Sequence, residues 1–166
     1  VLVFYSGHGV PGLKDKRPYL LPVDGNPNRA EITAYPLELL YKNLGKLPVK
    51  SVTVYLDTCF SGESPKGMLI KAASGVVISA ANPSPSKPMT IVTAAQRDQL
   101  ASWDEKAQLG LFTKHLLDGL YGKADGISDG NSDGKVTLIE LNIYLQREVK
   151  GEARRTYSRE QIPFVE

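Results

Sequence analysis

Apolar positions in this chain fall into short unbroken runs, and these are separated by polar, glycine- and proline-rich stretches. Residues 1–5 (Val-Leu-Val-Phe-Tyr) predict a buried strand that ends at Ser6-Gly7-His8-Gly9. Residues 52–56 predict a second, β-branched strand, ending at Asp57-Thr58-Cys59-Phe60-Ser61-Gly62. Residues 75–81 and 89–95 predict two more. Between the last two, Asn82-Pro83-Ser84-Pro85-Ser86-Lys87-Pro88 cannot form a regular element, because proline removes backbone donors and fixes φ.

Helical patterns cover residues 36–44, with Thr33 or Tyr35 near the start and Gly45 as the stop, then 110–120 and 138–149. Residues 10–30 are rich in Pro, Gly, Asp and Asn and predict a long loop around the apolar stretch 19–21. The tail, 154–166, is polar and then briefly apolar. Strands without strict alternation, joined by helical or long connections, favour a mostly parallel α/β sheet.

A chain of 166 residues with 42% hydrophobic content suits one domain with a sizeable core. Lys and Arg total 20 against 18 Asp and Glu, and the basic residues are scattered, so nucleic acid is not an expected partner. No run approaches the roughly 20 apolar residues of a membrane span, and no charged-then-apolar leader is seen. A single cysteine excludes an intrachain disulfide framework. Together with the missing targeting signals, a thiol that must stay reduced sets the expectation of a cytoplasmic location. The chain opens directly in a core-like strand without Met, which sets the expectation that further sequence lies upstream.

The chemistry concentrates at two strand exits. In a parallel sheet the C-terminal strand ends share one edge, where α/β sites form. Taken singly, Cys59 reads as a buried structural thiol and His8 as a satisfied turn histidine. Taken together, both leave a buried strand into a small-residue turn, 51 residues apart, a separation found between histidine and cysteine in intracellular cysteine peptidases. A thiolate is accessible near neutral pH, and histidine can move its proton. Glycines in both turns allow backbone N–H groups to approach a substrate carbonyl.

Phe4-Tyr5-Ser6-Gly7-His8-Gly9 and Leu56-Asp57-Thr58-Cys59-Phe60-Ser61-Gly62 resemble the two signature blocks of the caspase-like cysteine peptidases, and more closely those of the metacaspases and their prokaryotic relatives. The segments from Ala94 to Ala101, Gly110-Leu111-Phe112-Thr113 and Val136 to Leu141 resemble later blocks. The resemblance implies one catalytic domain over residues 1–166, a three-layer α/β/α sandwich around a mostly parallel sheet. The family's first two strands would precede the Ser-Gly-His-Gly block and are expected to be lacking here, supplied by an N-terminal fragment of the same precursor or by further upstream sequence. Autocatalytic cleavage after a basic residue would generate such a pair, and Lys66, Lys71 and Lys87 are further candidate cut sites.

On the same resemblance, His8 and Cys59 form the catalytic dyad, working through a thioester acyl-enzyme on a peptide or protein substrate. The backbone N–H groups of Gly9 and Cys59 form the oxyanion hole. Asp57 lies in the pocket for the residue before the cut, lined by Ser6, and the enzyme cuts after Arg or Lys. Independently, Asp57 stands two positions before Cys59 and shares its strand side. A carboxylate there favours a cation, which Arg can engage bidentately; the alternative is a carboxylate that braces the nucleophile loop. Animal caspases carry Gln-Ala-Cys at that block and select Asp, so Asp selectivity is not expected. Leu100, Ala101 and Ser102 follow a strand and offer backbone hydrogen bonds to an extended peptide. Trp103 covers an adjacent subsite or is a partly buried loop aromatic.

Residues 129–140 meet EF-hand spacing and make calcium a candidate ligand. Asp129, Asn131 and Asp133 would give side-chain oxygens, Lys135 a backbone carbonyl, Thr137 a direct or water-bridged contact and Glu140 the twelfth-position carboxylate, with the sharp turn at Gly134. A general Asp/Gly turn habit explains the same residues without metal, and no cofactor is needed for the chemistry itself. Two readings of another class remain: a catalytically silent scaffold of this fold, and a calcium-responsive interaction module.

Overall fold

A computed structural model describes residues 1–60, 63–64, 67–68, 83–85, 88–96, 99–126 and 130–166. The strand expected over 75–81, together with Lys66, Lys71, Lys87 and Asp129, lies outside them. In chain order, strand β1 (Leu2–Ser6) leads into β2 (His8–Pro11), β3 (Pro18–Leu21), helix α1 (Ala30–Thr33), β4 (Tyr35–Pro36) and α2 (Leu37–Leu44). Then come β5 (Thr53–Asp57), β6 (Glu63–Ser64), β7 (Gly67–Met68), β8 (Thr90–Thr93), β9 (Trp103–Asp104) and β10 (Leu109–Gly110), followed by α3 (Leu111–Leu120), α4 (Leu138–Tyr157) and β11 (Phe164–Val165).

The main sheet has the order β1-β5-β8-β11. β1 and β8 both run parallel to β5, and β11 closes the far side antiparallel to β8. Alternation across the pleat sends successive side chains of one strand to opposite faces. Val54, Leu56 and Ile91 meet Leu37 and Tyr41 of α2 on one face. Tyr55 and Val92 meet Leu111, Phe112, Leu116, Leu145 and Val149 of α3 and α4 on the other. The result is the expected three-layer α/β/α sandwich with a mostly parallel sheet. Each fully buried aliphatic or aromatic side chain contributes about 1.5–3 kcal/mol to holding the layers together.

Two expectations are corrected. The loop over 10–30 contains β2 and β3, paired antiparallel from His8↔Leu21 to Pro11↔Pro18. Its turn is closed by Asp15, whose carboxylate accepts from the Arg17 amide at 3.0 Å and the Tyr19 hydroxyl at 2.7 Å. Pro11 and Pro18, which flank the turn, hide the strands in the sequence. Helix α4 runs to Tyr157 rather than 149, because Leu141, Leu145, Val149, Ala153 and Tyr157 keep a four-residue stripe through a polar segment. The briefly apolar end of the tail forms β11. α2 begins after Pro36, with Glu38 in its first turn and Lys42 in its last, both favourable to the helix dipole.

Candidate active site

The two strand exits meet. β1 and β5 are in register as Ser6↔Asp57, and the Gly7 amide donates to the Asp57 carbonyl at 3.2 Å. His8 then opens β2 with an exposed side chain, while the half-buried Cys59 lies two residues past β5. A Cβ on Gly9 would fall 2.6 Å from the Cys59 carbonyl oxygen and 2.5 Å from the Phe60 ring. Only glycine lets the histidine turn approach the cysteine turn this closely. The predicted pair His8 and Cys59 is therefore carried on two turns in direct contact.

Tyr5 secures the histidine turn. Its hydroxyl shares its one proton between the carbonyl oxygens of His8 at 2.9 Å and Leu21 at 3.1 Å. Burial raises its pKa despite the bond to Leu21. By pattern alone Tyr5 belongs to the core strand; the signal for its second role is a tyrosine one position from a strand end, whose hydroxyl needs a partner.

Asp57 is 5% exposed and faces α3, on the same side of β5 as Tyr55. The Thr113 amide donates to its Oδ2 at 3.3 Å, and the Thr113 hydroxyl donates to the same oxygen. A Cβ on Gly110 would collide with that oxygen as well. Among the described residues no cation pairs with Asp57. Burial pushes its carboxyl above the usual range, against the downward pull of both Thr113 bonds. Ser6, its register neighbour, is exposed at the rim. In the sequence Gly110 and Thr113 are legible only as part of a family block; their role depends on the packing of α3 over the end of β5.

An open groove of about 1040 Å³ runs from His8 past Ser102 and Trp103 to Asp104, Lys114 and Glu152. Leu100 and Ala101, which precede Ser102 in the chain, are half-buried, and Ala101 packs against the core. Ser102 corrects an expectation: its N–H donates to the Gln161 side chain at 2.8 Å and its carbonyl accepts from the Leu111 amide at 2.8 Å. Those bonds hold the wall together and take the Ser102 amide away from a substrate strand. Trp103 stands 44% exposed on the groove. Beyond it, Lys114 donates to Asp104 at 2.8 Å and Glu152 at 2.7 Å, and His115 pairs with Glu152 at 2.8 Å. The Lys114 bond holds the Asp104 carboxyl at about 2.

With this geometry described, comparison with known families decides the class: the caspase domain model matches residues 1–166. The chain belongs to the caspase-domain family. No curated protein matches it. Cysteine peptidase chemistry is thus the coarse functional reading of this caspase domain, and His8 and Cys59 are its candidate reacting groups.

The caspase domain also carries the 129–140 loop ahead of α4. Thr137 and Glu140 form a capping box, and Glu140 accepts from the amides of Thr137 at 2.7 Å and Asn131 at 3.2 Å. Those bonds hold its carboxyl below the usual range. Asn131 accepts from the Asp133 amide at 3.0 Å, Asp133 accepts from the Lys135 amide at 2.9 Å, and Gly134 takes a positive φ of 81°. Asp125, not singled out in the sequence, accepts from the amides of Asp133 and Gly134 at 3.1 and 2.8 Å. Asp129 lies outside the described residues, and among those described no group of three acidic, His or Cys ligands converges. No described helix is long and apolar enough to cross a membrane.

Proposed function

We propose that this domain is a cysteine endopeptidase of metacaspase type that cuts after Arg or Lys. The observation that carries the reading is the approach of Gly9 to the Cys59 carbonyl, which sets the His8 turn against the Cys59 turn. The Cys59 thiolate attacks the scissile carbonyl carbon, and the resulting oxyanion is held by the N–H groups of Gly9 and Cys59. Collapse breaks the C–N bond, and His8 gives its proton to the leaving amine, leaving a thioester. Water then attacks the thioester, His8 takes its proton, and the carboxylate product leaves with Cys59 restored as thiolate.

Asp57 supports the basic-residue selectivity. A buried carboxylate without a cation among the described residues is unfavourable alone, and a substrate Arg or Lys supplies the missing charge. Leu100 and Ala101 would pair with the substrate backbone, and Trp103 would cover the next side chain. A reduced nucleophile fits a cytoplasmic compartment. An N-terminal fragment of the same precursor would add beside β1, where Leu2 and Phe4 are exposed on the sheet face that α3 and α4 cover elsewhere.

Calcium is the proposed ligand of the 129–140 loop, through Asp129, Asn131, Asp133, Lys135, Thr137 and Glu140. Its entry would exchange the bonds Glu140 now makes to Asn131 and Thr137 for metal coordination.

The test uses matched fluorogenic peptides ending in Arg, Lys, Asp or Ala, with the complete protein and its Cys59→Ala variant, each with and without calcium. Arg and Lys cleavage that vanishes in the variant is expected. Reduced, folded protein that cleaves none of the four, with or without calcium, moves the weight to a catalytically silent scaffold.

A further inference from the structure

Among the described residues, Asp57 is hydrogen-bonded on one oxygen only. A carboxylate offers about four lone-pair positions on two oxygens, and a guanidinium fork uses one of them on each. The Thr113 amide and hydroxyl both donate to Oδ2, and Gly110 packs against that same atom. Among the described residues no hydrogen bond reaches Oδ1. The arrangement follows from the start of α3. Gly110 is the N-cap and makes no side-chain capping bond. First-turn amides of a helix need external acceptors and carry the positive end of its dipole. The Asp57 carboxylate, delivered from β5, takes the place of the missing cap at the third helical residue, Thr113.

We propose that Thr113 is a positioning residue for substrate selection: it removes Oδ2 of Asp57 from recognition, so the pocket reads a basic side chain through Oδ1 as a point charge and separates Arg from Lys only weakly. This rests on the basic-residue reading above. A lysine ammonium is a compact point charge that needs one oxygen, whereas arginine's advantage lies in the two-oxygen fork that Thr113 denies it. Gly110 leaves room for the carboxylate at the start of α3, since a Cβ there would fall on Oδ2.

The complete protein, Thr113→Val and Thr113→Ser are compared on matched Arg and Lys peptides, and the Asp57 carboxyl is titrated by ¹³C NMR in each, assigned with Asp57→Asn. Valine keeps the shape and drops the hydroxyl. The wild type is expected to cut both peptides with kcat/KM values within roughly five-fold of each other, the worth of about one hydrogen bond. Thr113→Val should shift the ratio toward Arg by a similar factor and move the Asp57 titration to higher pH, while Thr113→Ser restores both. An active Thr113→Val with an unchanged ratio overturns the selectivity step. An unchanged titration overturns the bond to Oδ2 itself. Wild-type protein that cuts Asp or Ala peptides but neither basic one overturns the underlying pocket reading, and the titration then separates that failure from the failure of the Thr113 contact.

Discussion

The Gly7 amide donates to the Asp57 carbonyl oxygen at 3.2 Å, so the turn that carries His8 and the strand end that leads to Cys59 share a backbone hydrogen bond. Two ends of neighbouring parallel strands are thereby locked before any side chain is considered. The site's tolerance for substitution follows from how little room that lock leaves.

Gly9 is the tightest point. In Gly9→Ala the new Cβ must push away the Cys59 carbonyl, 2.6 Å from its position, which is backbone and cannot rotate aside. Overpacking of this kind costs about 1–3 kcal/mol. A displacement of the nucleophile by a fraction of an ångström to 1 Å lowers turnover by about 100-fold. Thermal unfolding and peptide kinetics on the purified variant check both, and a fully active Gly9→Ala would contradict the contact.

Tyr5→Phe deletes the bonds to the His8 and Leu21 carbonyls. A loss of about 1–2 kcal/mol in stability is expected. With the histidine turn loosened, kcat should fall about ten-fold with little change in KM. A KM effect alone would place Tyr5 in substrate binding instead.

Asp57→Asn separates stability from function. The folded pKa of Asp57 is raised above its ordinary value of 3.8 by burial, against the Thr113 bonds. From the ordinary value upward to the raised one, the native state holds more protons than the unfolded state, so this group lowers stability as pH rises through that window. The penalty is complete above the folded pKa and absent below pH 3.8. Asn carries no such penalty and keeps an acceptor for Thr113. Asp57→Asn should therefore melt higher than wild type at pH 7, with the gap closing below pH 4, while cleavage after Arg and Lys drops at least about 100-fold. Melting curves at pH 3.5 and 7 with parallel kinetics decide it.

Gln161 is fully buried and holds the groove wall from the other side, accepting from the Ser102 amide at 2.8 Å and donating to the Ala94 carbonyl at 3.1 Å. Gln161→Leu leaves two buried backbone groups unpaired, a cost of about 2–5 kcal/mol. Hydrogen exchange should show the Ser102 amide losing protection first; unchanged protection would mean the wall is held elsewhere.

Much of this was readable in one dimension. Short β-branched runs ending at Gly7-His8-Gly9 and Asp57-Thr58-Cys59 located β1, β5 and the two chemical groups, because a buried parallel strand and its exit turn each leave a local composition. The α3 and α2 helices were readable for the same reason, from four-residue apolar spacing and Gly45. The β2–β3 hairpin was not, since its stability comes from pairing between segments whose ends are proline. The last eight residues of α4 were hidden because Ala153 is small and its neighbours are polar.

The sequence by itself determined the layered α/β class, the family resemblance and the identity of His8, Cys59 and Asp57 as the groups to watch, since each depends on residue type and near neighbours along the chain. Only the tertiary structure decided which partners surround them: Gly9 against the Cys59 carbonyl, Thr113 and Gly110 on one oxygen of Asp57, Gln161 occupying the Ser102 amide. Those partners lie 50 or more residues away along the chain. Layer packing, rather than local propensity, brings such distant segments within hydrogen-bond reach.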